Sequence, residues 1–381
     1  MQRNYLDHAA TTPVHPEVAD KMVNVLKEAY GNPSSIHSYG RQARHILDQA
    51  RELIANSIGA RYSEIIFTSG GTEADNLALT GTARANRDKG MHIITTQIEH
   101  HAVLHTCERL EEEGFLVTYL PVDESGRITV RQVEEALTPE TILVSVMYGN
   151  NEVGSIQPIK EIGALLQNHQ AYFHTDAVQA YGLEKLDVRE LNVDLMSVSS
   201  HKINGPKGIG FLFAKDGTKF QAGLFGGEQE MKRRAGTENL PAIAGFAEAV
   251  RILGQAREQK YELYRDCRNA FLEMLDDESV LYRVNGPAEQ QSLPHVLNIS
   301  FPKTDVESLL VNLDLAGIAA SSGSACTAGS IEPSHVLSAM YGKNSDRLRS
   351  SVRFSFGFGN TVEQVKEAAR LTGKIVKRFQ K

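Results

Sequence analysis

Lys202 stands in the stretch SVSSHKINGPKGIGFLF at 197–213, in a tight polar turn between two apolar runs. Both runs read as short buried strands, and Asn-Gly-Pro-Lys-Gly is turn chemistry, so the amine falls at a strand end. A lysine there suits an imine with an aldehyde cofactor if its ammonium can lose a proton near neutral pH; a surface hairpin lysine is the plain alternative. In SGGTEADN at 69–76, a strand end, two glycines and a helix start leave backbone N–H groups pointing at one spot. That arrangement suits a phosphate, although such turns also serve only to reverse the chain. Asp176 closes the apolar run AYFHTD. An ionised carboxylate at the end of such a run needs a cationic or hydrogen-bonding partner. A pyridinium nitrogen would serve, and so would the start of the next helix, which Asp commonly caps.

Cys326 lies in SSGSACTAGS at 321–330, where no apolar neighbour offers cover for a thiol, so a nucleophilic role competes with that of a harmless loop cysteine. Cys107 and Cys267 fall on apolar helical stripes and are expected in the core. His101 and His105 have metal-ligand spacing, but no glutamate lies between them as in H-E-x-x-H and no second cysteine pair accompanies them, so no metal is expected. In VRFSFGF at 352–358, alternation sets Val352, Phe354 and Phe356 on one face and Arg353 with Ser355 on the other. Arg353 is then placed either to hold a carboxylate through two parallel hydrogen bonds or to face solvent. Neither a G-x-S-x-G elbow nor a G-x-x-x-x-G-K-[ST] phosphate loop occurs, which removes the usual anchors for a hydrolase triad or a phosphate-loop nucleotidase.

These residues need a frame. Apolar strand-like runs occur at 64–69, 92–97, 115–121, 141–148, 171–176, 194–200 and 208–214, mostly separated by helical patterns. Seven such runs predict an open, mostly parallel sheet covered by helices, its last two strands forming a hairpin. Ligands of such sheets bind beyond the carboxyl ends of the strands. The residues there are Gly71 and Thr72, Glu99 and His100, Asn150 and Asn151, Asp176 and Gln179, then Ser199, His201 and Lys202. Helices are expected at 16–31 and 41–58, and a further one from 237 to 254 ahead of a charged helix around 257–262. Strands at 280–286, 295–302 and 351–358 with helices between them read as a smaller α/β domain. The expected division is 14–255 for a large domain, and 1–13 with 256–381 for a small one.

At 381 residues the chain is long enough for two domains, and its 41% hydrophobic and 23% charged shares are globular values. A net charge of −7 argues against direct nucleic-acid binding. No run reaches signal-peptide or bilayer length, and three cysteines without a C-x-x-C pair fit a reducing compartment, so a cytoplasmic protein away from membranes is expected.

Taken in order, YLDHAATTP, GNPSSIH, SGGTEADN, EHHAV, NNEVG, HTDAVQ, SSHKINGPKGIG, RRAGTEN, SSGSACT and VRFSFG resemble the pyridoxal-phosphate cysteine desulfurases of the NifS/IscS branch. These belong to the class V aminotransferase-like, fold-type I enzymes, and the likeness runs nearly end to end. It implies an α/β fold-type I transferase in which Lys202 forms the internal imine, Asp176 pairs with the pyridine nitrogen and Gln179 contacts the ring hydroxyl. His100 would stack on the ring and move protons. Gly71 belongs to the cofactor turn, and Thr72, Ser199 and His201 would hold the phosphate, with Thr237 reaching in from the second subunit of a homodimer. Asn151 and Arg353 would grip the carboxylate of L-cysteine, while Cys326 attacks its sulfur to leave alanine and a persulfide. The short end at Lys381 and the SGSACTAG and RRAGTEN segments are similar to desulfurases that serve a tRNA 2-thiouridine synthase; an iron–sulfur scaffold is the alternative acceptor. A different pyridoxal-phosphate transaminase or lyase, or a silent sulfur-carrier or scaffold protein, are the rival readings.

Overall fold

All seven apolar runs become strands of one sheet. In chain order, after a two-residue β1 (Asn4–Tyr5), they are β2 (Ile65–Thr68), β3 (His92–Thr96), β4 (Leu116–Leu120), β5 (Thr141–Ser145), β6 (Tyr172–Asp176), β7 (Leu195–Ser199) and β8 (Gly210–Ala214). The computed structural model describes residues 3–323 and 333–380. The sheet order is β2-β8-β7-β6-β5-β3-β4. β8 runs antiparallel to both of its neighbours, which makes the expected hairpin with β7, and every other pair is parallel. Residues of β2, β3, β5, β7 and β8 are buried throughout, the result of helices covering both faces and the reason these runs carry no apolar alternation. Because β3, β5, β6 and β7 share one direction, their carboxyl ends emerge together.

Three further strands, β9 (Arg283–Asn285), β10 (Val296–Ser300) and β12 (Ser351–Ser355), form an antiparallel sheet with β10 in the centre. β1 pairs in parallel with β11 (Ile318–Ala319), and Leu6 enters the same apolar cluster as Phe271, Leu297, Phe354 and Val376. The first residues of the chain therefore pack with its C-terminal part.

The boundary expected near residue 255 falls inside one helix. Leu240–Asp277 is continuous over 38 residues, where the sequence reading had two helices. Gly254 weakens a helix by about 1 kcal/mol without ending it, and no proline intervenes. The charged run at 257–262 continues that helix, with Glu258, Gln259 and Glu262 exposed and Arg257, Lys260 and Tyr261 half-buried. Ser38–Ser57 starts three residues earlier than expected because His37 caps it, its Nδ1 accepting from the Gly40 amide at 3.2 Å.

Cys107 and Cys267 are fully buried, as their stripes implied. Burial pushes the Cys267 thiol up to about 11 and the Cys107 thiol higher still.

One buried ion pair ties the sheet to the chain that follows it. Arg51 donates to both carboxylate oxygens of Glu230 at 2.6 and 2.7 Å, and one of those oxygens also accepts from the Phe67 amide at 3.1 Å. Glu230, Met231 and Lys232 hold successive left-handed φ angles of 48°, 56° and 66°. Each costs roughly 1–2 kcal/mol for a residue with a Cβ, so the turn needs an external anchor. Arg51 supplies it while lying over the rings of Tyr62 and Phe67. Arg51→Ala leaves a buried carboxylate alone and is expected to cost about 3–5 kcal/mol in urea unfolding. A loss below about 1 kcal/mol would mean that the turn is held by something else.

Candidate active site

The carboxyl ends of the parallel strands border a cavity of about 520 Å³. Of the expected site residues, Gly71, Thr72, His100, Asn151, Asp176, Gln179, Ser199, His201, Lys202 and Arg353 all line it. Thr237 does not. It borders a separate hollow of about 250 Å³ with Arg234 and Gly208. Cys326 lies outside the described residues, between Gly323 and the segment that resumes at residue 333.

Lys202 ends a short 3-10 turn directly after β7, at the strand end where the sequence set it. Its Nζ donates to the carbonyls of Ala9 at 2.5 Å and Ala10 at 2.8 Å. Neither acceptor is charged, so burial dominates, with Arg353 adding repulsion, and the ammonium is pushed down to about 7. That satisfies the condition for an amine nucleophile. The reading as a surface hairpin lysine fails on the same contacts.

The glycine turn is built for close approach of an anion. Gly70 has φ 152° and no side chain caps the Gly71–Ala85 helix that follows. A Cβ on Gly71 would meet Val178 at 2.8 Å. The helix of 15 residues thus leaves its first amides without a side-chain cap, with Ser199 packed beside the turn, an arrangement able to take an anion.

Asp176 is 6% exposed, and burial raises its carboxyl to about 6 while the Val178 amide, donating to Oδ1 at 2.9 Å, and the nearby Lys202 favour the anion. A ring cation would complete that carboxylate. The capping role appears only as the single Val178 contact, and no regular helix begins there. Gln179 is held on both sides: its Nε2 donates to Ala9 O at 2.9 Å, and its Oε1 pairs with His295 Nε2 at 3.1 Å.

His100 caps the His101–Glu112 helix through Nδ1, which accepts from the Ala102 amide at 3.1 Å. Burial and the neighbouring Lys202 lower it to about 4, so it is a neutral ring with a fixed tautomer beside the cavity. His101 stacks between His105 at 4.9 Å and His335 at 4.6 Å. Among the described residues no group of three or more His, Cys, Asp or Glu side chains is arranged to hold a metal.

Arg353 is 5% exposed, which removes the solvent-facing alternative. Its Nη2 donates to Asp7 Oδ1 at 2.9 Å and Ser321 Oγ at 2.8 Å, and its Nη1 to Asn151 O at 3.0 Å. Nε is buried without a hydrogen bond, a donor still to be used. Glu152 also borders the cavity, and burial raises its carboxyl to about 7. A Cβ at residue 323 would come within 1.8 Å of that carboxyl, so glycine is required there.

Sequence reasoning missed Asp7, Ala9, Ala10, Asp75, Glu152 and His335. The DHAATTP segment gave no strand or helix pattern, and its role rests on contacts 193 and 346 residues away along the chain. Asp7, Ala9, Ala10, Asp75 and Glu152 did stand within the motifs named above, without a role of their own. An acidic residue one helical turn after a glycine phosphate turn was the available signal.

The class-V aminotransferase family model matches residues 4–367. A relative from Bacillus subtilis (strain 168) that bears the name IscS 1 is 61% identical over 379 residues, covering all of both chains. Cysteine desulfurase IscS of Methanosarcina thermophila is 47% identical over 98% of this chain and 92% of its own. Among solved structures, a NifS-like protein superposes with a TM-score of 0.92 at 34% identity, covering 99% of this chain and 100% of its own. SspA in complex with cysteine gives 0.82 at 36% identity over 93% and 98%. The strand-end lysine, the glycine cradle, the buried aspartate and these likenesses converge on one assignment: the chain belongs to the class-V aminotransferase family, in the IscS/NifS group of cysteine desulfurases, enzymes that use pyridoxal phosphate.

Proposed function

We propose that the protein converts L-cysteine to L-alanine and stores the sulfur as a persulfide on Cys326 for delivery to an acceptor protein. The observation that carries the reading is the buried, carbonyl-held Lys202 amine facing a glycine cradle and Asp176 across one cavity. The donor set fits pyridoxal phosphate. Lys202 would attach it covalently, Gly71, Thr72, Ser199 and His201 would hold its phosphate, Asp176 would pair with its ring nitrogen, and Gln179 would meet its ring hydroxyl. When bound, the group supplies an electron sink for bonds broken at the substrate's α carbon.

Arg353, held by Asp7 and Ser321, presents its free Nε to the substrate carboxylate beside Asn151. His100, neutral at Nδ1 by virtue of its cap, moves protons near the α carbon. The Cys326 thiolate attacks the substrate sulfur: an S–S bond forms, the C–S bond breaks, and the electron pair stays with the carbon that becomes the alanine methyl.

A homodimer is part of this reading, with Thr237 completing the phosphate site of the second copy. Thr237 lines a different hollow from its own chain's cavity, and Ile36, Phe225 and Tyr30 are large apolar side chains left 92%, 90% and 72% exposed, each of which another copy would cover. Among the described residues no helix is long and apolar enough to cross a membrane. For the acceptor, we infer a tRNA-thiolating enzyme over an iron–sulfur scaffold, on the SGSACTAG and RRAGTEN segments. The acidic balance of this chain leaves RNA binding to that partner. A cytoplasmic location accords with cysteines kept as thiols.

Lys202→Ala is expected to abolish the visible band of bound cofactor and all turnover while leaving the unfolding midpoint close to wild type; retained turnover would sink the assignment. Cys326→Ala should keep the band and its change on adding cysteine but carry no persulfide by mass spectrometry, and normal alanine formation there would move the nucleophile elsewhere.

With the amine near 7, the neutral form is scarce below that pH and dominant above it. Capture of pyridoxal phosphate by cofactor-free protein should therefore quicken by about tenfold per pH unit below neutrality and level off above it. A rate still climbing at the pKa of an ordinary lysine would contradict a lowered amine.

With both acceptors present at equal concentration, sulfur from labelled cysteine should pass mainly to the tRNA-thiolating enzyme. Persulfide exchange needs near contact of the two sulfurs, so faster and fuller transfer to the scaffold would rule that acceptor out.

A further inference from the structure

Asp75 lies one turn into the Gly71–Ala85 helix, 1% exposed, at the edge of the same cavity. Its Oδ1 is buried without a hydrogen-bond partner. The nearest group able to carry positive charge is His174, with Nε2 at 3.6 Å. That ring is already placed between the Ser145 and Ser197 hydroxyls at 2.9 and 3.0 Å, and burial holds it neutral, lowered to about 3. The ionisable groups facing Asp75 are thus His174 and Asp176 from β6, and Glu99 beyond β3. Glu99 is itself wholly buried and raised to about 8, so it too is uncharged at neutral pH.

Asp75 and Asp176 border one cavity and repel each other when both are ionised, so without a cation to share they do not both carry charge. Asp176 has the better claim to the charge, because it accepts from the Val178 amide and feels Lys202. Asp75 has burial and the anionic Asp176 against it, relieved by the Ser197 hydroxyl, and its carboxyl is pushed well above the usual carboxylate range. The helix argues the same way. Its amino end is the proposed phosphate cradle, where an ionised Asp75 would repel the anion. Glu73, the other acid of that first turn, is neutralised by Arg234 at 2.8 and 3.2 Å.

We propose that Asp75 is the protonated member of an acid–carboxylate pair with Asp176, a positioning residue that leaves Asp176 the single anion facing the cofactor's ring nitrogen and keeps the helix end free for phosphate. The proposal rests on the reading of Asp176 given above. It requires no partner beyond this chain's own residues.

Infrared spectra of holoenzyme labelled with ¹³C-aspartate test it directly, since the label separates aspartate from Glu99 and Glu152. A protonated aspartic acid band is expected at neutral pH, and it should vanish in Asp75→Asn. The visible band of Asp75→Asn should keep the wild-type pH dependence, because an amide matches a neutral acid in charge. In Asp176→Asn the pH at which Asp75 ionises should fall by about one unit or more, as removal of an anionic neighbour requires. This titration decides the matter even if Asp75→Asn does not fold. An absent acid band in the wild type, a band that survives Asp75→Asn, or an unmoved Asp75 titration in Asp176→Asn would overturn the proposal. Failure of the Asp176 reading looks different: Asp176→Asn would then bind pyridoxal phosphate as tightly as wild type, with the Asp75 band still present.

Discussion

A lysine amine buried against peptide carbonyls is the constraint from which the rest of the site follows. Had Lys202 met a carboxylate, it would stay an ammonium and be useless as a nucleophile. The carbonyls of Ala9 and Ala10 accept its hydrogen bonds without stabilising the charge nearly as well. Those carbonyls must come from somewhere, and they come from the chain's first residues. The segment is fixed at both ends: Thr12 accepts from the Asn204 amide and donates to His201 O, and the Ala9 amide donates to Ser355 Oγ. The smaller sheet, through β12, thereby sets the environment of a lysine on the larger one.

The same economy governs the acids. Asp7 neutralises Arg353 at the cavity, and farther out Glu73 neutralises Arg234 and Glu230 neutralises Arg51, so these arginines have fixed partners. Asp176, by contrast, has no ion pair among the described residues, and Arg353 keeps one donor without a hydrogen bond. A buried ion pair seldom adds net stability over apolar packing, so these pairs are better understood as fixing geometry. Arg353 in particular is oriented by three acceptors before any substrate arrives. Preorganisation of that sort costs nothing at the moment of binding.

Much of this was readable in the chain. Strand runs, the hairpin and the strand-end residues follow from apolar continuity and turn chemistry, which are local. The cavity lining was legible because parallel strands share an end, so residues just past each run had to meet. What stayed hidden depends on contacts between distant positions: the strap over Lys202, the Asp7 partner of Arg353, and the isolation of Asp75. No periodicity marks such residues. Gly254 misled for a local reason, since a helix with enough packing on either side tolerates one glycine.

The Leu240–Asp277 helix belongs to both apolar cores. Ile243, Phe246 and Val250 pack under the seven-stranded sheet, and Tyr264, Phe271 and Leu275 pack under the three-stranded one. A helix gains cooperatively along its length, so loosening either core frays a rod on which the other depends. The two cores consequently communicate through one shared rod, and packing lost in either is felt in the other.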